Sequence, residues 1–107
     1  MTIKDVGTLG AAQVRLALKQ TSNIPDETLD IFTEKLAQII ESTIENKGYM
    51  TLEVGRFPDF TLAEVARESG ISPGAFPFGF TMGITIKGTV PEIVVKTATS
   101  SKKMIEE

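Results

Sequence analysis

Between Thr8 and Thr21 no proline interrupts the chain, and Leu9, Ala12, Leu16 and Gln20 recur at helical spacing beside Val14, Ala17 and Leu18. The spacing predicts a helix over 8–21 with Thr8 as its cap. Ser22, Asn23 and Pro25 break it. Pro25, Asp26 and Glu27 then suit a first helical turn, with a fixed φ followed by negative charge near the positive end of the helix dipole. The apolar stripe Leu29, Phe32, Leu36, Ile39, Ile40 and Ile44, with Thr43, carries a second helix to about Asn46, and Gly48 supplies the stop. At Tyr49 the period changes from 3.6 to 2: Met50, Leu52 and Val54 alternate with Tyr49, Thr51 and Glu53, a strand with one buried face. Gly55 and Pro58 interrupt this strand, while Phe57, Phe60 and Leu62 add apolar weight around the bend. Alternation returns over Thr81–Lys87, and Ile93, Val94 and Val95 make a short strand after Pro91. Ser100–Glu107 fits a last helical turn or two. Helix, helix, strands, short helix is the order of an α+β chain.

The stretch Thr61–Phe80, TLAEVARESGISPGAFPFGF, admits two structures. Leu62, Val65, Ala66, Gly70 and Ile71 have the pattern of a helix-turn-helix: small Ala66 permits close approach, Gly70 turns the chain and Ile71 fills the angle. TLAEVARESGIS thereby resembles the turn of repressors of the LacI and TetR classes, which implies a transcriptional regulator. Pro77 would clash inside the recognition helix at about 3 kcal/mol, and Gly74 and Gly79 would each add about 1 kcal/mol.

A wider resemblance covers nearly the whole chain. GRFPDF, Gly55 to Phe60, resembles the glycine-phenylalanine strand of the bacterial histone-like family of HU and integration host factor. AEVARESGISP, Ala63 to Pro73, stands where that family has its outgoing arm strand and intercalating proline, and TVPEIVVK, Thr89 to Lys96, resembles its valine-proline strand. The resemblance implies a histone-like (IHF-like) α+β fold in one domain. It would have two N-terminal helices over 8–48 for dimerisation, an antiparallel sheet with an extended two-stranded arm over 49–97, and a short C-terminal helix over 98–107. On that reading Pro73, Gly74 and Pro77 belong to the arm tip, and Pro73 is the wedge between base steps. Lys87, Lys96, Lys102 and Lys103, with Arg56 beside them and Arg67 as the one cation of the arm, are the residues expected on phosphate.

Composition and charge change this picture. The net charge is −3, with five Lys/Arg against eight Asp/Glu in residues 1–53 and six against six in 54–107. A dedicated nucleic-acid binder carries a basic excess, because phosphate neutralisation supplies most non-specific affinity. The arm is not basic either: Arg67 faces Glu64 and Glu68 as near neighbours in sequence. Phe76, Phe78 and Phe80 fall at alternate positions, and three rings on one face of an extended segment would make an edge for a protein partner or for self-assembly. Packing of the same rings onto the domain's own core is the plainer alternative.

The chain has no cysteine and no histidine, which removes disulfides, thiolate metal sites and the commonest general base. Asp26, Glu27, Asp30, Glu34, Glu41 and Glu45 follow the polar face of the second helix, where a solvated surface is their ordinary role. Ser69 and Ser72 lack a base, and no phosphate-binding glycine loop opens a helix. No catalytic residue, metal ligand or cofactor is therefore expected. Ser69–Ile86 carries no charge, but its glycines and prolines speak against a membrane span, and no leader pattern follows Met1. The expectation is a cytoplasmic, nucleoid-associated homodimer that binds DNA weakly. The dimer follows from the resemblance, from the marginal stability of a two-stranded arm, and from a second helix with more apolar surface than a small open sheet covers. The rival is a structural or adaptor protein of the same fold, and the helix-turn-helix regulator is a third.

Overall fold

Two long antiparallel helices form one layer. α1 (Ile3–Thr21) and α2 (Asp26–Lys47) are each held by an apolar face, with Val6, Ala11, Val14 and Leu18 buried on the first and Leu29, Phe32, Leu36, Ile40 and Ile44 on the second. The computed structural model describes residues 3–88, 90–97 and 101–105, with side chains over 4–88 and 90–97. α1 starts earlier than its periodicity suggests: Thr8 is not a cap but lies inside the helix, donating its hydroxyl back to the Lys4 carbonyl at 3.1 Å. Pro25 is the N-cap of α2, and Gly48 ends it at φ 77, its N–H donating to the Ile44 carbonyl at 2.9 Å. The helices approach closely at Gly7, where an added Cβ would stand 2.7 Å from the Ala37 carbonyl oxygen. At the far end Arg15 bonds Asp30 at 2.6 Å and Lys19 lies 3.5 Å from Asp26. Such exposed pairs are worth about 0–1 kcal/mol each, so the apolar seam holds the helices together.

Beneath this layer lies a four-stranded antiparallel meander in the order β1-β2-β3-β4: β1 (Tyr49–Glu53), β2 (Thr81–Lys87), β3 (Val90–Lys96) and β4 (Ser101–Ile105). Period-two alternation sends Met50, Leu52, Met82, Ile84, Ile93 and Val95 into the core, and Tyr49, Thr51, Glu53, Thr85, Lys87 and Lys96 to solvent. Gly10 of α1 sits against this inner face, with the ends of Ile84 and Ile40 3.1 and 3.2 Å from where its Cβ would be. Pro91 lies inside β3 opposite Ile86, whose N–H is directed the other way, to the Gly48 carbonyl at 3.0 Å. β4 pairs from Glu92 onward, so the missing N–H of Pro91 faces no described strand. The α+β class is as the sequence predicts.

The segment that divides the sequence readings is neither an arm nor a helix-turn-helix. α3 (Phe60–Ser69) occupies it, with Leu62, Val65 and Ala66 buried. Asp59 caps α3 by accepting from the Leu62 N–H, and Gly70 closes it at φ 80, followed by an Ile71 N–H bond to Ala66 at 2.8 Å. The expected outgoing arm strand over Ala63–Pro73 is thus helical, because capped and amphipathic local sequence outweighs the position it would take in the histone-like order. No recognition helix follows: the chain makes a single 3-10 turn, Pro73–Ala75, and then runs extended at Phe76 (φ −79, ψ 141). The expected C-terminal helix is also corrected, since Ser101–Ile105 pairs with β3 as an edge strand. The remainder of 98–107 lies outside the described residues.

α2 meets the sheet through its C-terminal half and α3 with Phe76 through the rest; Phe32 and Phe76 have ring centroids 5.9 Å apart. Leu29, Phe32, Leu36, Ile40 and Ile44 of the α2 stripe are therefore buried within one chain, while Ile39 is half-buried and Ile31 is exposed. No helix among the described residues is long and apolar enough to cross a membrane.

Candidate docking site

Val54 continues β1 as an isolated link, and three segments converge on it. Val54 donates to the Phe80 carbonyl at 2.8 Å and accepts from the Gly79 N–H at 2.9 Å; Gly55 donates to Phe57 at 3.2 Å; Val54 and Pro58 form an antiparallel bridge on the other side. Asp59 locks the junction. Its two carboxylate oxygens accept from different backbone donors, Leu62 N–H at 3.0 Å and Glu53 N–H at 2.8 Å, while its own N–H donates to the Glu53 carbonyl at 2.9 Å. One side chain thus caps α3 and ties it to β1. Asp59→Ala is expected to lower stability by about 2 kcal/mol, with Asp59→Asn recovering part of it, as chemical denaturation would record.

This junction brings three phenylalanines to the surface. Phe57, Phe60 and Phe78 are 72%, 79% and 73% exposed, and each lies within one residue of a backbone bond to Glu53–Gly55. At roughly 200 Å² per side chain the three rings together expose on the order of 450 Å² of apolar surface, divided between the two sides of Val54. From Phe60 the surface continues along the outer face of α3 as a groove of about 680 Å³, lined by Ala63, Glu64, Arg67, Ile71 and Pro73. Glu64 and Arg67 pair across one turn at 3.2 Å, so the groove has both signs of charge and no net excess.

The aromatic expectation needs correction. Phe76 and Phe80 are core residues, 8% and 2% exposed, and only Phe78 of the three faces solvent. Their alternation is real, but the strand-like segment lies on the domain instead of projecting from it. Phe57 and Phe60, which the sequence marked only as apolar weight, are the other exposed rings at this junction. Their setting among Gly55, Pro58 and Asp59 was the available sign, since rings in a turn have few neighbours to bury them.

The expected phosphate contacts are dispersed. Lys87 and Lys96 both belong to the open face of the sheet, but Lys96 pairs with Thr81, six residues along β2 from Lys87, a separation of about 20 Å. Lys87 is 3.8 Å from Glu92. The register sets Lys102 opposite Val95 and Lys103 opposite Val94, and their side chains lie outside the described residues. Arg56 is exposed in the Val54–Pro58 turn, Arg67 is engaged by Glu64, and Pro73, exposed, forms the rim of the α3 groove instead of an arm tip. Among the described residues no three or more of His, Cys, Asp and Glu are grouped to hold a metal ion. No protein-family model, no curated protein and no solved structure matches this chain.

Proposed function

We propose that this chain is a non-catalytic docking protein, of the structural or adaptor kind, that holds an apolar or amphipathic segment of a partner protein at its aromatic end. The observation that carries this reading is the exposure of Phe57, Phe60 and Phe78 around one junction whose backbone is tied by at least five hydrogen bonds, at Glu53, Val54, Gly55 and Asp59. Rings on a rigid frame lose little conformational freedom on binding, and desolvating them is favourable, which is the energetic profile of an interface hot spot. The neutral Glu64–Arg67 groove beside Phe60 would receive the polar edge of the same segment.

A partner retained from an extract by the wild-type chain, then purified, should bind with its affinity reduced at least tenfold by Phe57→Ser with Phe78→Ser, the fold being unchanged by circular dichroism. Equal binding of that double variant overturns the assignment. Architectural DNA binding has less support, because its arm is replaced by α3 and its cations are spread over about 20 Å of an acidic chain. Titration of a fluorescent duplex at low and higher salt decides it: binding that falls steeply with salt and is lost in Lys96→Ala would move the assignment to DNA.

A further inference from the structure

We propose that the free edge of β1 pairs with the same edge of a second copy of this chain, joining two sheets into one across a twofold axis. The backbone pattern exposes the edge. Val54 and Gly48 bond toward β2, through Phe80 and Ile86, so the even-numbered positions of β1 face β2 while Tyr49, Thr51 and Glu53 direct their N–H and C=O groups outward. Glu53 already shows what this edge accepts: Asp59 gives it one N–H donor and one carboxylate acceptor, the two bonds a neighbouring strand would make. Among the described residues, nothing takes the equivalent place at Tyr49 and Thr51.

Edge strands are normally guarded by lysine, proline or a bulge. β4, the opposite edge, carries Lys102 and Lys103; β1 reads Tyr-Met-Thr-Leu-Glu, with no guard before Glu53. The occupant is specified by self-complementarity. With Tyr49 of one copy opposite Thr51 of the other, both outward pairs become hydrogen-bonded pairs, and Met50 meets Met50 of the second copy at the axis. No like charges are set against each other over this stretch. Extending the register brings Lys47 toward Glu53 of the second copy at both ends, opposite signs on two exposed side chains. The slot also has the right length: Asp59 closes it at Glu53, and the second copy's strand leaves the sheet at the same level, where Gly48 turns the chain into α2. This contact is made by the backbone of Tyr49–Thr51 and not by the exposed rings, and it stands whether or not those rings hold a partner.

Sedimentation equilibrium of the purified chain up to about 1 mM should show mass rising toward two chains with concentration. Thr51→Pro removes an outward N–H that the fold itself does not use and should hold the mass at one chain, as should Thr51→Lys, which keeps the backbone donor and adds a guard. Lys47→Glu should weaken association several-fold, and Lys47→Glu with Glu53→Lys should restore it, which tests the register and not merely the edge. A mass of one chain throughout, or unaltered association in both Thr51 variants with wild-type circular dichroism, overturns the proposal.

Discussion

Phe80→Ala is expected to remove about 3–5 kcal/mol of stability, while Phe78→Ala, two residues away, changes it by no more than about 0.5 kcal/mol. Phe80 is 2% exposed at the junction of β1 and β2, where its carbonyl also receives the Val54 N–H, so truncation opens a cavity between the sheet and the helix layer. Collapse into that space is opposed by backbone bonded on both sides. Phe78 is 73% exposed and has little burial to lose. At roughly 5 °C per kcal/mol for a domain of this size, the first substitution lowers Tm by about 15–25 °C and the second leaves it within a few degrees. Thermal or urea denaturation of the two variants measures this directly, and equal effects would return all three rings to a single exposed or single buried role.

Gly7→Ala is a second large effect, with an expected net loss of about 1–2 kcal/mol. The new Cβ would lie 2.7 Å from the carbonyl oxygen of Ala37, a backbone atom within α2 that cannot move without shifting the helix. Overpacking of this sort costs about 1–3 kcal/mol, against which alanine returns at most about 1 kcal/mol of helix propensity. Gly10→Ala, one turn further on, is the control. Its nearest neighbours are the terminal methyls of Ile84 and Ile40 at 3.1 and 3.2 Å and Met82 Cε at 3.5 Å, flexible ends that can rotate aside. Repacking there and the gain in propensity roughly offset each other, so the two glycines should separate clearly in urea midpoints despite sharing a helix.

The candidate site was legible in parts only. Phe57, Phe60 and Phe78 are visible as apolar residues in a turn-rich context, but their grouping requires Val54 to bond Gly79 and Phe80 from one side and Pro58 to bridge it from the other. Alternation at Phe76, Phe78 and Phe80 correctly marks an extended segment, yet alternation is the same for a projecting ribbon and for a segment laid on a core. The α3 helix was present in its local code: Asp59 at the cap, Leu62, Val65 and Ala66 on one face, and Gly70 at the stop. The resemblance to the histone-like pattern points instead to an arm, because an order of elements takes no account of a locally capped, amphipathic helix.

By itself the sequence determined the local elements: α1 and α2 from 3.6-residue periodicity, the stop at Gly48, and β1 and β2 from strict alternation. It also determined the overall charge and the want of cysteine and histidine. Local propensity and periodicity suffice there because each residue's preference is set by neighbours within one or two turns or pleats. Only the tertiary structure decided that α3 completes the cover of α2, that Ser101–Ile105 is a strand, that Phe80 is core while Phe78 is surface, and that Lys87 and Lys96 stand at opposite ends of the sheet. These depend on pairings between residues far apart along the chain, whose energies come from burial and strand register and leave no periodic trace in either partner alone.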